Sequence, residues 1–248
     1  MPHPFARTEI LLGAPAVANL RDRHVLLAGV GGVGGYVAEN LARAGIGHIT
    51  LIDHDVVSIS NINRQIVALH STLNQPKVAV MAARIRDIYP DCVLETRQEF
   101  ISADNATRLL ADSGAEMVVD CIDAIACKAI LIQTAQALGL PVFSSMGAGN
   151  RLDPRRVRVA RLNQTEKCPL ARELRALLRK NGASLDVQTV FSDESPRREA
   201  PPSEVSGAGG RAKTVNGTIS FMPALFGVVL SGMVLQHLLA AGENRNGV

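Results

Sequence analysis

His24-Val-Leu-Leu-Ala28 runs directly into Gly29-Val-Gly31-Gly32-Val-Gly34, and then into Gly35-Tyr-Val-Ala-Glu-Asn-Leu-Ala-Arg-Ala44. The first run is apolar and strand-length. The last carries its apolar residues at helical spacing. Between them lies G-x-G-x-x-G, whose glycines permit a tight turn and let a phosphate approach the backbone. The free N–H groups and dipole of the helix start favour an anion there. The order strand, glycine turn, helix predicts a nucleotide-binding βαβ unit: a strand over 23–30, a helix over 34–44 stopped at Gly45-Ile-Gly47, and a second strand over 48–52.

The same alternation continues outward. Gln75-Pro76-Lys77 opens a helix with Pro in its first turn, and Val78, Met81, Ala82, Ile85 and Ile88 recur at helical spacing. Strands are predicted near 92–96, 116–122 and 141–145, with a helix over 127–138 closed by Gly139. The continuous apolar run over 116–122 suits the middle of a parallel sheet. Further on, 156–162 and 185–191 read as strands and 169–180 as a helix. The fold class is therefore α/β: a Rossmann-like, doubly wound, mainly parallel sheet with flanking helices and an additional C-terminal strand and helix portion. We read 1–248 as one domain, with a nucleotide-binding core over 1–150. The portion over 151–248 is assigned to substrate binding and dimerisation. Within it, 192–213 holds Pro196, Pro201, Pro202 and Gly207-Ala-Gly-Gly210 and is expected to be a long mobile loop.

Composition narrows the function. Of 248 residues, 47% are hydrophobic and 20% charged, which excludes a disordered chain. Trp is absent and aromatics reach 3%, leaving little for ring-stacking readers of single strands. The net charge of +3 permits a polyanionic partner. Cys92, Cys121, Cys127 and Cys168 form no C-x-x-C pair, so a zinc ribbon and a disulfide framework are both disfavoured. No leader pattern opens the chain, and the cytoplasm is the expected compartment. The uncharged stretch over 219–242 reaches the ~18–20 residues of a membrane span. Its Pro223, Ser, Gly, Gln236 and His237 make it read instead as a helix buried in the core or a subunit interface.

Asp53 ends the second strand roughly twenty residues after the first glycine, where an acidic residue takes ribose hydroxyls. Those features fit NAD as well as ATP. The next residues separate the two: Asp55, Ser60-Asn61-Ile-Asn-Arg64-Gln65 and Lys77 cluster just past the ribose position. A dinucleotide has no need of cations there. A triphosphate needs its charge neutralised while one phosphorus is attacked, and Arg64 and Lys77 would supply that. Asp120-Cys-Ile-Asp123 lies at the carboxyl end of a buried strand, where such sheets bind ligands. Asp120 is read as a turn cap and Asp123 as a Mg²⁺ ligand. His54 and Cys121 are read as surface and core residues, and Cys168 as a thiol at a helix start.

Taken together, Arg7-x-x-Ile-Leu-Leu-Gly13, the glycine turn, Asp53-His-Asp55, Ser58-x-Ser-Asn-x-x-Arg-Gln65, Gln75-Pro-Lys77 and Asp120-Cys-x-Asp123 resemble the ubiquitin-activating-enzyme-like (ThiF-type) adenylyltransferases. That family uses ATP to adenylate a carboxylate. The resemblance implies an ATP site formed by Gly29, Gly31, Gly32, Gly34, Asp53, Asp55, Ser60, Asn61, Arg64, Gln65, Lys77 and Asp123. It also implies Mg²⁺ on Asp123, and Arg7 reaching the triphosphate of the partner subunit in a homodimer. Arg64, Lys77, Asp123 and Arg7 are the expected catalytic set.

The second half resembles the branch that dehydrates threonylcarbamoyladenosine beside the anticodon of tRNA. The matching segments are Gly147-Ala-Gly-Asn-Arg-Leu-Asp-Pro154, Cys168-Pro-Leu-Ala-Arg-Glu-Leu-Arg175 and Val187-Gln-Thr-Val-Phe-Ser192. This implies adenylation of the threonyl carboxylate, then ring closure with release of AMP. The alternative within the family is activation of the C-terminal Gly-Gly of a sulfur-carrier protein. A monovalent cation, and a cysteine desulfurase or sulfur acceptor as partner, stay open. Between 151 and 180, ten basic residues face three acidic ones, an excess suited to RNA phosphates. Arg197, Arg198, Arg211 and Lys213 are expected to close over the tRNA.

Overall fold

The computed structural model describes residues 3–197, 203–206 and 212–246. In chain order the elements are α1 (Ala6–Leu12), α2 (Ala14–Arg21), β1 (His24–Ala28), α3 (Gly34–Ala44), β2 (His48–Ile52), α4 (Lys77–Ile88), β3 (Val93–Arg97), α5 (Ala106–Ala111), β4 (Met117–Asp120), α6 (Ile125–Ala137) and β5 (Val142–Ser145). Then follow β6 (Val157–Arg161), α7 (Pro169–Lys180), β7 (Gln188–Ser192), β8 (Ser203–Ser206), β9 (Ala212–Val215) and α8 (Phe221–Asn246).

Seven strands form one sheet in the order β3-β2-β1-β4-β5-β7-β6, parallel except for the antiparallel edge strand β6. The order reverses direction at β1, so β2 and β4 flank it. A cleft opens above their carboxyl ends, the position where doubly wound sheets take ligands. In β1, Val25, Leu26, Leu27 and Ala28 are all buried. Helices cover both faces of the strand, which is why it reads as a continuous apolar run rather than an alternating one.

Local signals explain several boundaries. Gly45 adopts φ +91° after α3, and the amides of Gly45 and Ile46 return to the carbonyls of Ala42 and Leu41. These are the paired bonds of a Schellman stop, which needs a residue without Cβ strain in the left-handed region. Pro169 occupies the first turn of α7, where its missing N–H costs nothing. Pro76, expected inside the first turn of α4, is instead its cap residue.

One further expectation needs correction. The 192–213 stretch is not wholly irregular: β8 and β9 pair antiparallel within and just beyond it, with Ser203 opposite Val215. Ser192 itself ends β7. Arg198 and Arg211 lie outside the described residues.

The apolar stretch over 219–242 is a helix, α8, long and apolar enough by length and composition to cross a membrane. Met222, Phe226, Leu230, Val234 and Leu238 recur every four residues and are all buried. That stripe packs on α2, α3, β5 and β7, so one face of the helix belongs to the core. Gly227 sits where a Cβ would lie 2.8 Å from the Tyr36 Cβ, so glycine sets the close approach of α8 to α3.

At the amino ends of β1 and β2, the register partners His24 and His48 stack with ring centroids 3.4 Å apart and an interplanar angle of 7°. His24 Nε2 shares a 2.8 Å hydrogen bond with Thr50 Oγ1. Burial, and then the adjacent His48, push the His24 pKa from 6.5 down to about 4. The unfolded chain thus binds this proton at a higher pH than the fold does. Stability contributed by neutral His24 is full above pH ~6.5 and is lost as pH falls toward ~4. Urea denaturation of the His24→Gln variant should show a shallower loss of stability across that window. An unchanged pH slope would contradict the assignment.

Candidate active site

The glycine turn is fixed by close packing. Gly29 has φ +88°, and a Cβ there would lie 2.9 Å from the Cys121 carbonyl oxygen at the end of β4. Only glycine allows β1 and β4 to end this tightly with the chain turning between them. A Cβ on Gly34 would collide with the Gly29 carbonyl. Gly34 therefore closes the turn from behind and does not line the cleft, unlike Gly29, Gly31 and Gly32.

Asp53 leaves β2 beside that turn. Its Oδ2 accepts the Val30 amide at 2.7 Å and its Oδ1 accepts the Asp55 amide at 2.8 Å. Both oxygens are thus aimed by backbone, and each keeps lone-pair capacity for a hydroxyl.

The segment between β2 and α4 supplies the cations. A 3₁₀ turn over Ile59–Asn61 is closed by the Asn61 side chain, whose Oδ1 accepts the Ser58 amide at 3.1 Å. Arg64 comes next, with Nη1 donating to the Ser60 carbonyl and to Asn63 Oδ1, both at 2.9 Å. Lys77 begins α4. It is buried, and its Nζ lies 2.7 Å from Asp55 Oδ2. On the other side of the glycine turn, Asp123 stands between β4 and α6.

These residues face one cleft of about 670 Å³, within the ~300–1,000 Å³ of small-molecule sites. Of the expected set, Gly29, Gly31, Gly32, Asp53, Asp55, Ser60, Asn61, Arg64, Gln65, Lys77 and Asp123 line it. Arg7, on the exposed side of α1, lies outside the cleft of its own chain.

The cleft also has walls that sequence reasoning missed. Phe100, half exposed, meets His54 edge-on with centroids 5.0 Å apart at the rim. His54, read as a surface residue, is a lining residue as well. Met146–Gly149 comes after β5, and Asn216 and Thr218 cross from the far portion of the chain. Asn150 joins these two segments. Its amide donates to the Gly217 carbonyl at 2.8 Å and its Nδ2 to Asn216 Oδ1 at 3.0 Å. The visible signal was Gly147-Ala-Gly-Asn150 at a strand end; Asn150 does take the left-handed φ of 58°.

Known proteins share this fold. The ThiF family model matches residues 5–247. The chain belongs to the ThiF family. Its relatives include the tRNA threonylcarbamoyladenosine dehydratase of Bacillus subtilis, 39% identical over 244 residues and covering 96% of each chain. Crystal structures of the Escherichia coli tRNA N6-threonylcarbamoyladenosine dehydratase in complex with ATP and with AMP are similar too. Each shows 34% identity and a TM-score of 0.86, over 97% of this chain and 96% of that one.

In this ThiF-family chain the basic stretch over 151–180 is less available than its composition suggests. Arg151 is 4% exposed and donates to the Glu194 carbonyl and, at 2.8 Å, to the Lys167 carbonyl. Burial lowers its pKa. Arg175 bonds the Leu162 and Thr165 carbonyls. Arg156 and Arg158 clasp Asp193, and Arg161 pairs with Asp186. Arg197 is held by Glu194 at 3.1 Å. Arg151 and Arg175 are thus structural, whereas Arg155, Lys167, Arg172, Arg179 and Lys180 remain at the surface.

The thiols divide similarly. Cys121 borders the cleft floor, and burial pushes its pKa well up. Cys168 is buried as the cap residue of α7.

Proposed function

We propose that this ThiF-family protein is an ATP-dependent enzyme that dehydrates threonylcarbamoyladenosine in tRNA. The observation that carries the reading is the single cleft in which a glycine turn, a backbone-aimed Asp53, two cations and Asp123 converge. The names of relatives matching nearly the whole chain support the same reading.

In this scheme the glycine turn takes the phosphates and Asp53 takes the ribose. The threonyl carboxylate attacks the α-phosphorus in line, forming a carboxylate–phosphorus bond as pyrophosphate leaves. Arg64 and Lys77 exchange their present oxygen partners for the departing phosphates and stabilise the charge that develops there. Asp123 would hold Mg²⁺ through a hard carboxylate oxygen, and the ion when bound would neutralise phosphate charge. Arg7 of a second copy reaches the same triphosphate, since in its own chain it does not line the cleft.

The acyl-adenylate is a good electrophile where the carboxylate was a poor one. An atom of the carbamoyl group attacks the activated carbonyl and expels AMP, closing a ring. The carboxylate oxygen leaves with AMP, so the nucleoside is lighter by one water. Holding both reactants in one molecule makes the second step intramolecular, and no enzyme nucleophile is required. The buried Cys168 agrees with that. The portion over 151–248 carries the surface cations suited to tRNA phosphates. With tRNA as substrate, the compartment expected for the protein is the cytoplasm.

The test uses tRNA bearing the open-chain nucleoside, with ATP and Mg²⁺. One AMP and one pyrophosphate should form for each nucleoside that loses a water. An unchanged nucleoside would overturn the reading. AMP formation that ignores tRNA and requires a protein ending in Gly-Gly would assign the sulfur-carrier reaction instead.

A further inference from the structure

Adenylation and ring closure make no use of the most deeply buried cation among the described residues. Lys128 stands in the first turns of α6 and is 0% exposed, as is Asp120 at the end of β4. Both burial and the positive end of the helix dipole oppose a cation at that place. The charge is nonetheless fully partnered. Its Nζ donates to Asp120 Oδ2 at 2.5 Å, to Ser144 Oγ at 3.2 Å and to the Ser145 carbonyl at 3.0 Å, using all three N–H groups. Ser144 Oγ in turn donates to Asp120 Oδ2 at 2.6 Å, and Asp120 Oδ1 accepts the Ile122 amide at 3.1 Å.

The partners are not scattered. Asp120 is aligned with Ala28 of β1 and with Ser144 of β5, so the network spans the carboxyl ends of adjacent strands. It ties down both segments that leave those ends. The turn over 121–124 carries Asp123, and the segment over 145–149 forms the neighbouring stretch of cleft wall. A buried ion pair stabilises a fold poorly compared with an apolar pair of the same volume. Its distinctive property is geometric: two short charged contacts allow little relative motion of the segments they join.

We propose that Lys128 is a positioning residue that bolts the Asp123 turn to the loop after β5, fixing these two stretches of the cleft wall relative to each other. The inference rests on the proposed dehydratase function. Lys128 touches no substrate; it acts through Asp120, Ser144 and Ser145.

Removing one partner alone would strand a buried charge, so the informative variant is the double substitution Asp120→Asn with Lys128→Met. It keeps the acceptor for Ile122 and removes both charges. The double variant should keep a thermal midpoint close to that of the parent and a KM for ATP within about threefold, while kcat for tRNA cyclisation falls ~10²-fold. The Mg²⁺ concentration for half-maximal rate should rise. Amide hydrogen exchange over 121–124 and 145–149 should quicken by about tenfold, a readout that needs no activity. Should the double variant not fold, Ser144→Ala decides, with the same split between kcat and KM at about tenfold and the same local exchange. A folded variant with parental kcat and parental exchange in both segments would overturn the proposal. Failure of the parent protein to cyclise tRNA would overturn the dehydratase function instead, and the exchange measurement would still judge the bolt.

Discussion

Arg64→Ala is expected to lower ATP-dependent cyclisation of tRNA by ~10²–10³-fold, the loss of ~3–4 kcal/mol typical of one charge contact made in the transition state. The structure gives the reason for so large an effect from a residue that need not bind ATP tightly. Arg64 already satisfies its Nη1 with the Ser60 carbonyl and Asn63 Oδ1. A ground-state contact made through Nη1 would replace these hydrogen bonds and gain little. The transition-state contact meets charge that was absent before. The loss should fall on kcat, with KM for ATP changed by less than about tenfold. Steady-state kinetics at saturating tRNA would measure both. A variant with parental kcat and a raised KM would mean that Arg64 only holds the nucleotide.

Asp123→Ala is expected to be as severe, again ~10²–10³-fold in rate, because it removes the carboxylate proposed to hold Mg²⁺ at the phosphates. Here the dependence on Mg²⁺ should change as well as the rate, which separates it from Arg64→Ala. Full activity in this variant would refute the metal assignment. Cys168→Ala should leave the rate unchanged, since ring closure asks nothing of a thiol and this one is buried under α7.

The parts of the fold that sequence made legible are those where one residue type answers one local need. Gly45 stops α3 because the left-handed φ excludes other residues at low cost, and Pro169 with Leu174 and Leu178 brackets α7. The cleft lining was legible for the same reason: glycines at the turn, a carboxylate at the end of β2 and cations past it can each be placed by spacing.

What stayed hidden depended on contacts between distant segments. A Pro- and Gly-rich stretch gave no alternating pattern from which β8 and β9 could be inferred. Arg151 looks like a phosphate ligand in a basic run, yet Glu194, far along the chain, draws it inside. The helix is apolar on nearly every side over 221–242, so its pattern did not show which face joins the core; its packing on α2, α3, β5 and β7 does. For Lys128 a signal did exist. It is the lone cation in Ile125-Ala-Cys-Lys-Ala-Ile-Leu-Ile132, and such a residue must either leave the core or find an anion.

Adenylation of the threonyl carboxylate is the step on which every role assigned to the cleft depends. The most direct measurement places heavy oxygen in both oxygens of that carboxylate, cyclises the tRNA with unlabelled ATP in ordinary water, and weighs the AMP released. Transfer through an acyl-adenylate predicts AMP carrying one heavy oxygen and pyrophosphate carrying none. Unlabelled AMP, with the heavy oxygen found in pyrophosphate or lost to water, would contradict it.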